Sequence, residues 1–327
     1  MSKKITSSLL RLQLLLFLAK YAFILRHKSL KSFSKLNLAL DNFLEYSKNH
    51  SLKFSESLSP IPTTIEDSTV EVHTLLCKRD LHMYLWAIRS LIYHADIKFP
   101  MVVHDDGSLN ETDYQLLQAK IPEIKIISRS VADQKISELL QDFPSCQAYR
   151  KRSVLSLGLF DYNLLSNADF ILSFDSDILF FRPPKELIDA TREKNDSVIY
   201  HTCEPSDRSY ASDLVLTSQF HSIVSGFNGG LLFYPRKIFE LPEVEEIVSW
   251  LLGNKENIRF RLGEQIVNAI LAGRRTTFPL SDQYSNLPTA NVVKDNLVSK
   301  HYHSAVKGLF WLEGIREMIQ RSSEILL

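Results

Sequence analysis

Two aspartates stand inside an otherwise apolar stretch of the chain, "ILSFDSDILFFRPP". Burying an unpaired carboxylate is strongly unfavourable, so Asp175 and Asp177 need either solvent or a cation. Residues two apart in an extended segment point to the same side, which lets both carboxylates converge on one ion. Such oxygen ligands suit Mg²⁺ or Mn²⁺. The pattern predicts a metal site, and a solvated turn with ordinary aspartates is the alternative.

A second polar motif, "HYHSAVKGLFW", lies near the end of the chain. A neutral imidazole of His301 or His303 can complete the coordination of a carboxylate-bound transition metal. The positive charge of Lys307 can neutralise a phosphate. A lone histidine is more often structural, so this prediction depends on the combination with the two aspartates.

Two segments between these motifs offer further polar groups, "SGFNGGLLFYPRK" and "GEQIVNAIL". Gly229 and Gly230 allow the backbone to approach a ligand closely, and the Asn228 amide offers both a donor and an acceptor. Glu264 and Gln265 begin a helix with an apolar face. Glu264 has a second interpretation as a residue that favours a helix N-terminus.

The elements that must position these groups alternate along the chain. Runs of apolar and β-branched residues predict strands at 69–77, 99–106, 124–128 and 170–174. Helical spacing predicts helices at 80–95, 111–121, 149–166 and 263–271, with Asn110 as an N-cap. This alternation predicts an α/β domain with a mixed, mostly parallel sheet. Ligands bind outside the carboxyl ends of such strands, where Asp175 and Asp177 fall.

The amino-terminal part of the chain differs from the rest in charge. Residues 1–53 carry ten Lys/Arg against two acidic residues, although the whole chain of 327 residues has a net charge of zero. The apolar run at 9–25 predicts a helix that lies on an anionic membrane surface, or one that packs on the domain behind it. The predicted organisation is a basic helical extension at 1–46, a linker at 47–68, a domain at 69–312 and a terminal helix at 313–327.

Composition excludes several other classes. The three cysteines, Cys77, Cys146 and Cys203, are widely spaced and odd in number, which indicates reduced thiols and a cytoplasmic protein. No basic patch interleaved with aromatic residues occurs outside the amino-terminal part, so no nucleic-acid partner is expected.

The order of motifs between about residues 70 and 312 resembles the GT-A nucleotide-sugar glycosyltransferases. It is most similar to glycosyltransferase family 8, the family of glycogenin and of bacterial lipopolysaccharide galactosyltransferases. The resemblance implies a GT-A, Rossmann-like fold in which Asp175, Asp177 and His301 hold the metal of a metal–UDP complex. His301 is preferred to His303 because it sets Lys307 at the family spacing.

The resemblance also implies roles for other residues. Lys307 would bind phosphate, Asn228, Gly229, Gly230, Glu264 and Gln265 would contact the donor sugar, and the segment with Thr74 and Leu75 would bind uridine. Asp105 or Asp106 would hold the base or ribose, with a simple turn as an equal alternative. The family has a basic residue where this chain has Leu159; either Arg152 replaces it or the role is vacant in this chain.

The implied activity is a metal-dependent transfer, with Mn²⁺ or Mg²⁺, of a sugar from a UDP-sugar to a glycan or lipid-linked acceptor, with retention. A non-catalytic binding or scaffold protein of the same fold is the main alternative. A phosphohydrolase with the same Asp pair is disfavoured, because Ile178 stands where that class carries Thr.

Overall fold

In the computed structural model, the chain folds around one seven-stranded sheet. The described residues are 14–15, 18–19, 22, 34–61, 63–204, 219–220, 222–254, 262–286, 295–303, 306–321 and 325. The strands are β1 (Val70–Leu76), β2 (Met101–Asp105), β3 (Lys125–Ile127), β4 (Phe170–Phe174), β5 (Ile178–Phe180), β6 (Val198–Cys203), β7 (Phe227–Pro235), β8 (Thr276–Pro279), β9 (Tyr284–Ser285) and β10 (Ser299–His301).

Helices flank this sheet. They are α1 (Ser34–Ser57), α2 (Leu81–Ala95), α3 (Glu111–Lys120), α4 (Arg129–Leu139), α5 (Pro144–Arg152), α6 (Ser156–Leu165), α7 (Lys185–Glu193), α8 (Leu241–Gly253), α9 (Gly263–Gly273) and α10 (Ile315–Arg321). The predicted cap of α3 is confirmed: the Asn110 side chain accepts the Asp113 N–H, and the Asp113 carboxylate accepts the Asn110 N–H.

The strand order in the large sheet is β3-β2-β1-β4-β7-β6-β8. The pairs β1–β2, β1–β4, β2–β3 and β6–β8 are parallel, whereas β7 runs antiparallel to β4 and β6. The prediction of a mixed, mostly parallel sheet is therefore confirmed. Because β1 lies between β2 and β4, the winding reverses there, and ligands bind at such a switch point.

The core lies on both faces of the sheet, and β4 shows why. Phe170, Leu172 and Phe174 belong to the apolar cluster on one face, and Ile171 belongs to the cluster on the other. Side chains alternate between the faces of a strand, so a strand that is covered on both sides must be apolar throughout. The apolar run therefore ends where the strand leaves the core, at Asp175.

A small three-stranded sheet, ordered β5-β10-β9, connects the two polar motifs. β10 pairs antiparallel with β5, and the register places His301 opposite Ile178. The N–H of Tyr302 donates to the Asp177 carbonyl at 2.9 Å. This pairing brings the end of the chain beside the aspartate pair.

The amino-terminal helix extends further than predicted. The expected linker at 47–68 is wrong over its first part, because α1 continues to Ser57. Three of its serines are buried, and the hydroxyls of Ser47, Ser51 and Ser55 donate to carbonyls in the preceding turn. Bonds of this kind satisfy serine inside a helix, and packing then offsets its weak helix propensity.

Two other boundaries also differ from the predicted ones. The expected helix at 149–166 is two helices, α5 and α6, because Ser153 takes an extended conformation and ends the first. The terminal helical segment begins with a π-helix, Phe310–Gly314, rather than at residue 313. Within the described parts of the chain, no helix is both long enough and apolar enough to cross a membrane.

Candidate metal and donor site

The predicted metal ligands meet at the carboxyl end of β4. His301 Nε2 lies 3.0 Å from an oxygen of Asp177 and 3.4 Å from an oxygen of Asp175. One donor atom from each of the three residues can be chosen so that all lie within 4.8 Å of one another. Asp177 and His301 are buried, whereas the Asp175 side chain is 52% exposed. Two oxygens and one nitrogen therefore converge at the rim of the core.

The charged side chains of the group shift one another's pKa values. Burial would raise the pKa of Asp177, but His301 and Lys307 hold it well below its usual value. Burial would likewise lower the pKa of His301, yet the two aspartates raise it. Without an ion, an imidazolium at His301 would balance the Asp177 carboxylate, whereas burial raises the pKa of Asp175 to about 7. A cation at the same place would take over that balance, because a ligating histidine must be neutral.

Gly230 makes room for His301. A Cβ at this glycine would lie 2.5 Å from Cε1 of His301 and 2.8 Å from its Nδ1, far closer than packed atoms allow. The Gly230 carbonyl also accepts the N–H of Asp175 at 2.8 Å. Gly230 thus serves the metal group directly, because any side chain would push the imidazole away from the carboxylates.

Lys307 is held by two carboxylates. Its Nζ lies 2.8 Å from Asp80 Oδ2 and 3.3 Å from Asp177 Oδ2. Burial would lower the pKa of Lys307, but Asp177 and Asp80 raise it, so the ammonium stays charged. Asp80 precedes α2 in the position of a helix cap, but its side chain makes no capping bond. The charged residues that directly follow β1 were the available signal for its place in the site.

A cavity of about 310 Å³ opens in front of the metal group. Its lining includes nine of the residues predicted for the site: Leu75, Asp175, Asp177, Asn228, Gly229, Gly230, Glu264, Gln265 and His301. The lining also includes Tyr162, Glu204 and His303. The structure thus brings together residues from β1, β4, β7, α9 and β10 around one space.

The amides at the cavity differ in how they are bonded. Asn228 accepts the Gly230 N–H at 2.9 Å and the Thr202 hydroxyl at 3.3 Å, and its amide donates to Glu204. The buried amide nitrogen of Gln265 has no hydrogen-bond partner among the described residues. Asn228 is therefore fixed by the protein, whereas Gln265 keeps a donor for a ligand.

Glu264 has an unusual charge state. Burial at the cavity wall, reinforced by the charge of Asp175, raises the pKa of Glu264 to about 8. Its Oε1 accepts the Asn268 amide at 2.6 Å, one helical turn further along α9. The group is therefore largely protonated at neutral pH, and it can donate a hydrogen bond as well as accept one.

Besides Lys307, the predicted residues Thr74, Asp105, Asp106 and Arg152 lie outside the cavity lining. The Thr74 hydroxyl donates to the Phe174 carbonyl at 2.8 Å and ties β1 to β4. Asp106 accepts the N–H of Ser108 at 2.9 Å, which favours the turn interpretation. Arg152 is exposed at the end of α5, separated from α6 by the break at Ser153. Their ligand-binding roles stay predictions.

His303 and Glu204 complete the surroundings. The His303 ring lies 4.8 Å from that of His301, and its Nε2 lies 3.1 Å from the Asn286 carbonyl oxygen. It is not part of the three-residue metal group. Glu204, which pairs with the Asn228 amide, was missed by sequence reasoning, because nothing in its local pattern connects the end of β6 with β7.

The comparisons with known proteins concern the fold. No family model matches the sequence, and no curated protein matches it. The solved structure of the galactosyltransferase LgtC, in complex with donor and acceptor sugar analogs, aligns with 78% of this chain and 95% of its own at a TM-score of 0.50 and 14% identity. Mouse xyloside xylosyltransferase 1 aligns with 75% of this chain and 99% of its own, with a TM-score of 0.51 and 12% identity.

In a third comparison, the chain aligns with part of a longer protein of known structure. The bifunctional glycosyltransferase WbbM aligns with 82% of this chain but with 53% of its own length, at a TM-score of 0.50 and 15% identity. Identities this low show the fold alone. The chain thus has the GT-A glycosyltransferase fold, as the sequence resemblance implied, with a three-residue group at the strand end that could hold a metal ion.

Proposed function

We propose that the protein is a metal-dependent glycosyltransferase that moves a sugar from a UDP-sugar to a glycan or lipid-linked acceptor, with retention of configuration. The observation that carries this proposal is the convergence of Asp175, Asp177 and His301, with Lys307 beside them, at the mouth of the cavity. The GT-A fold supports the class of reaction. The choice of UDP, of retention and of the acceptor rests on the sequence resemblance.

The donor set suits a divalent ion. Two carboxylate oxygens and one imidazole nitrogen fit Mn²⁺, and Mg²⁺ is the second choice because it prefers oxygen ligands. Three protein ligands leave coordination positions for a substrate, as in other catalytic metal sites. When bound, the ion supplies Lewis-acid stabilisation of charge that develops on a diphosphate leaving group.

The residues of the chain supply the remaining chemistry. Lys307 places a fixed positive charge beside Asp177, where it stabilises the same developing charge. Gln265 offers its free amide, and Asn228 is held in the cavity lining by its bond from the Gly230 N–H. Both amides can bind sugar hydroxyls, which donate and accept hydrogen bonds.

The test is a hydrolysis screen with a panel of UDP-sugars, because slow hydrolysis of the donor requires no acceptor. We expect release of UDP with Mn²⁺ and loss of that activity with EDTA. His301→Ala should lose metal-dependent turnover, and the matched control His303→Ala should keep most of it. Metal-independent turnover, or loss of metal dependence only in His303→Ala, would contradict the proposed site.

The two alternatives give different results in the same screen. A non-catalytic protein of this fold would bind UDP with Mn²⁺ but would turn over no sugar nucleotide. A phosphohydrolase would instead cleave p-nitrophenyl phosphate. The intact group of metal donors and the charged Lys307 favour the transferase.

We further propose that the protein is cytoplasmic and binds an anionic membrane surface through its amino-terminal segment. The excess of basic residues at 1–53 supports this, as do the exposed side chains of Leu14 and Leu18. Salt screens surface charges, so high salt should weaken the attachment. Sedimentation with vesicles of phosphatidylserine and phosphatidylcholine tests it, and equal pelleting of the full chain and a truncation lacking residues 1–33 would contradict it.

A further inference from the structure

The wall of the cavity that α6 forms carries one polar side chain without an assigned role. Gly158 and Tyr162 are the residues of α6 that line the cavity. A Cβ at Gly158 would lie 3.6 Å from Cε2 and Cζ of Tyr162 and 3.8 Å from its hydroxyl oxygen. The glycine therefore leaves open the space in front of the phenol, and any longer side chain there would cover its hydroxyl.

Two histidine rings pack against the ring of Tyr162. Its centroid lies 5.2 Å from that of His73 and 4.8 Å from that of His104. The two imidazoles are joined by a 2.8 Å contact between His73 Nδ1 and His104 Nε2, and Glu71 Oε2 lies 3.1 Å from His73 Nε2. Burial lowers the pKa of His104 well below its usual value, so its ring packs as a neutral group. The phenol therefore stands on a rigid support.

The phenol of Tyr162 is neutral and lines the cavity. Burial raises its pKa well above the usual range, and the charges of Asp175 and Glu264 act in the same direction. The backbone of Leu75 hydrogen-bonds the phenol. This contact lowers the pKa of the phenol, against the larger effect of burial. Among the described residues, the phenol makes no hydrogen bond to a side chain.

Tyr162 shares the lining of the cavity with functional groups of two kinds. Asp175 belongs to the metal group, and Glu264 precedes Gln265 with its free amide. Phosphate charge would be met by the metal group and by Lys307. An uncharged O–H in the same lining is instead suited to an uncharged, hydroxyl-rich group.

We propose, on the basis of the proposed function, that Tyr162 is a donor-binding residue whose hydroxyl hydrogen-bonds the sugar of the nucleotide-sugar donor. Gly158 keeps that hydroxyl accessible, and the His73–His104 pair holds the ring in place.

The test compares sugar-dependent and nucleotide-dependent binding in Tyr162→Phe, which keeps the ring and its packing. The full chain is used with Mn²⁺, and the probes are UDP and whichever of UDP-glucose and UDP-galactose the wild-type protein hydrolyses. We expect the Kd for UDP to stay within about twofold. We expect kcat/KM for the UDP-sugar to fall about 3- to 10-fold, the effect of one neutral hydrogen bond.

Tyr234→Phe is the matched control. Tyr234 is also buried and also senses the charge of Glu264, but it does not line the cavity of the metal group. Tyr234→Phe should leave the Kd for UDP and kcat/KM for the UDP-sugar near their wild-type values. Thermal unfolding reports whether either variant disturbs the fold.

Four results would overturn the assignment. An equal loss of UDP affinity in Tyr162→Phe would place the contact on the nucleotide, and unchanged kinetics would leave the hydroxyl with a packing role only. The same loss in Tyr234→Phe would show a general effect of the buried layer. A wild-type protein that binds Mn²⁺ and UDP but hydrolyses no UDP-sugar would overturn the proposed function, and with it the sugar contact.

Discussion

Two clusters of charged side chains in this molecule are built in opposite ways. In the first, the guanidinium of buried Arg150 donates to both oxygens of Asp161 at 2.8 and 2.9 Å, and to Asp133 at 2.6 Å. In the second, two carboxylates face one imidazole, and Lys307 is shared between Asp177 and a third carboxylate, Asp80. The first cluster is satisfied within the protein, whereas the second lies open to a cavity.

The difference separates structural charge from functional charge. A bidentate arginine–carboxylate pair satisfies its donors and acceptors together, so it needs no ligand and orders the helices that carry it. At the strand end, Asp175 is half exposed, and Gln265 keeps an unused donor. Burial alone would not distinguish the two clusters. The distinguishing feature is whether the hydrogen-bonding capacity is used up inside the chain.

The largest expected effect is at the open cluster. Asp177→Asn should lower Mn²⁺-dependent turnover of the UDP-sugar by more than about 100-fold, since even groups that only support a metal ligand contribute about 10- to 100-fold. In EDTA the same variant should unfold at a lower temperature, because His301 and Lys307 both contact this carboxylate. Hydrolysis assays and thermal melts measure the two effects.

Asp175→Asn is the paired control for the metal-free protein. Asp175 is half exposed and lies 3.4 Å from His301, so its loss should change the melting temperature in EDTA much less. Turnover within threefold of wild type in Asp177→Asn would remove the distinction between the two clusters.

At the satisfied cluster the effect should fall on stability instead. Asp161→Asn leaves a buried guanidinium with Asp133 alone, and breaking a buried pair costs about 3 kcal/mol of unfolding free energy or more. Urea unfolding measures this loss. The Kd for UDP with Mn²⁺ should not change in the folded protein, and a weakening of more than about threefold would show that the cluster serves the site.

A substitution at Lys307 tests whether positive charge at the open cluster contributes to the binding of UDP. Lys307→Met should weaken UDP binding about 10-fold or more, because a hydrogen bond between charged groups contributes about 1.5–3 kcal/mol. The affinity for Mn²⁺ alone should hold or rise, since removal of a cation next to Asp177 favours another cation. Calorimetry with each ligand separates the two, and Asp80→Asn, which removes a partner but keeps the ammonium, should have a smaller effect.

The smallest expected effect is the contribution of Glu264 to the pH dependence of folding stability. Its folded-state pKa of about 8 lies above the ordinary value of 4.5, so the folded protein holds a proton that the unfolded chain releases between these values. Stability from this group is complete below pH 4.5 and is lost as pH rises towards 8. Glu264→Gln should therefore gain stability relative to wild type as pH rises from 5 to 8 in thermal melts. A difference that is constant across this range would contradict the raised pKa.

Local patterns in the sequence were enough for the strand–helix order and for the place of the aspartates. The apolar run that ends at Phe174 predicts a covered strand, and Asp175 must then stand at its end. The Asn110 cap is equally local, because its partner Asp113 is three residues away. The period with which apolar residues recur shows which side of a strand or helix is buried. This period can be read from residues that are close in sequence.

The predicted linker at 47–68 is wrong over its first part because local sequence does not record tertiary packing. Serine favours turns in isolation, but Ser47, Ser51 and Ser55 are buried in a helix whose Phe54 ring stacks on Trp86 at 6.3 Å. Tertiary packing outweighed local propensity there.

Only the tertiary structure decided which distant groups meet. The pairing of β5 with β10 places His301 beside Asp177, and Lys307 reaches Asp80 across 227 residues of sequence. Tyr162 faces the cavity because Gly158 leaves it room and two histidines support it. The residue types showed which chemistry was available to this chain. Contacts between segments far apart in sequence depend on sheet register and side-chain packing, which no local pattern encodes.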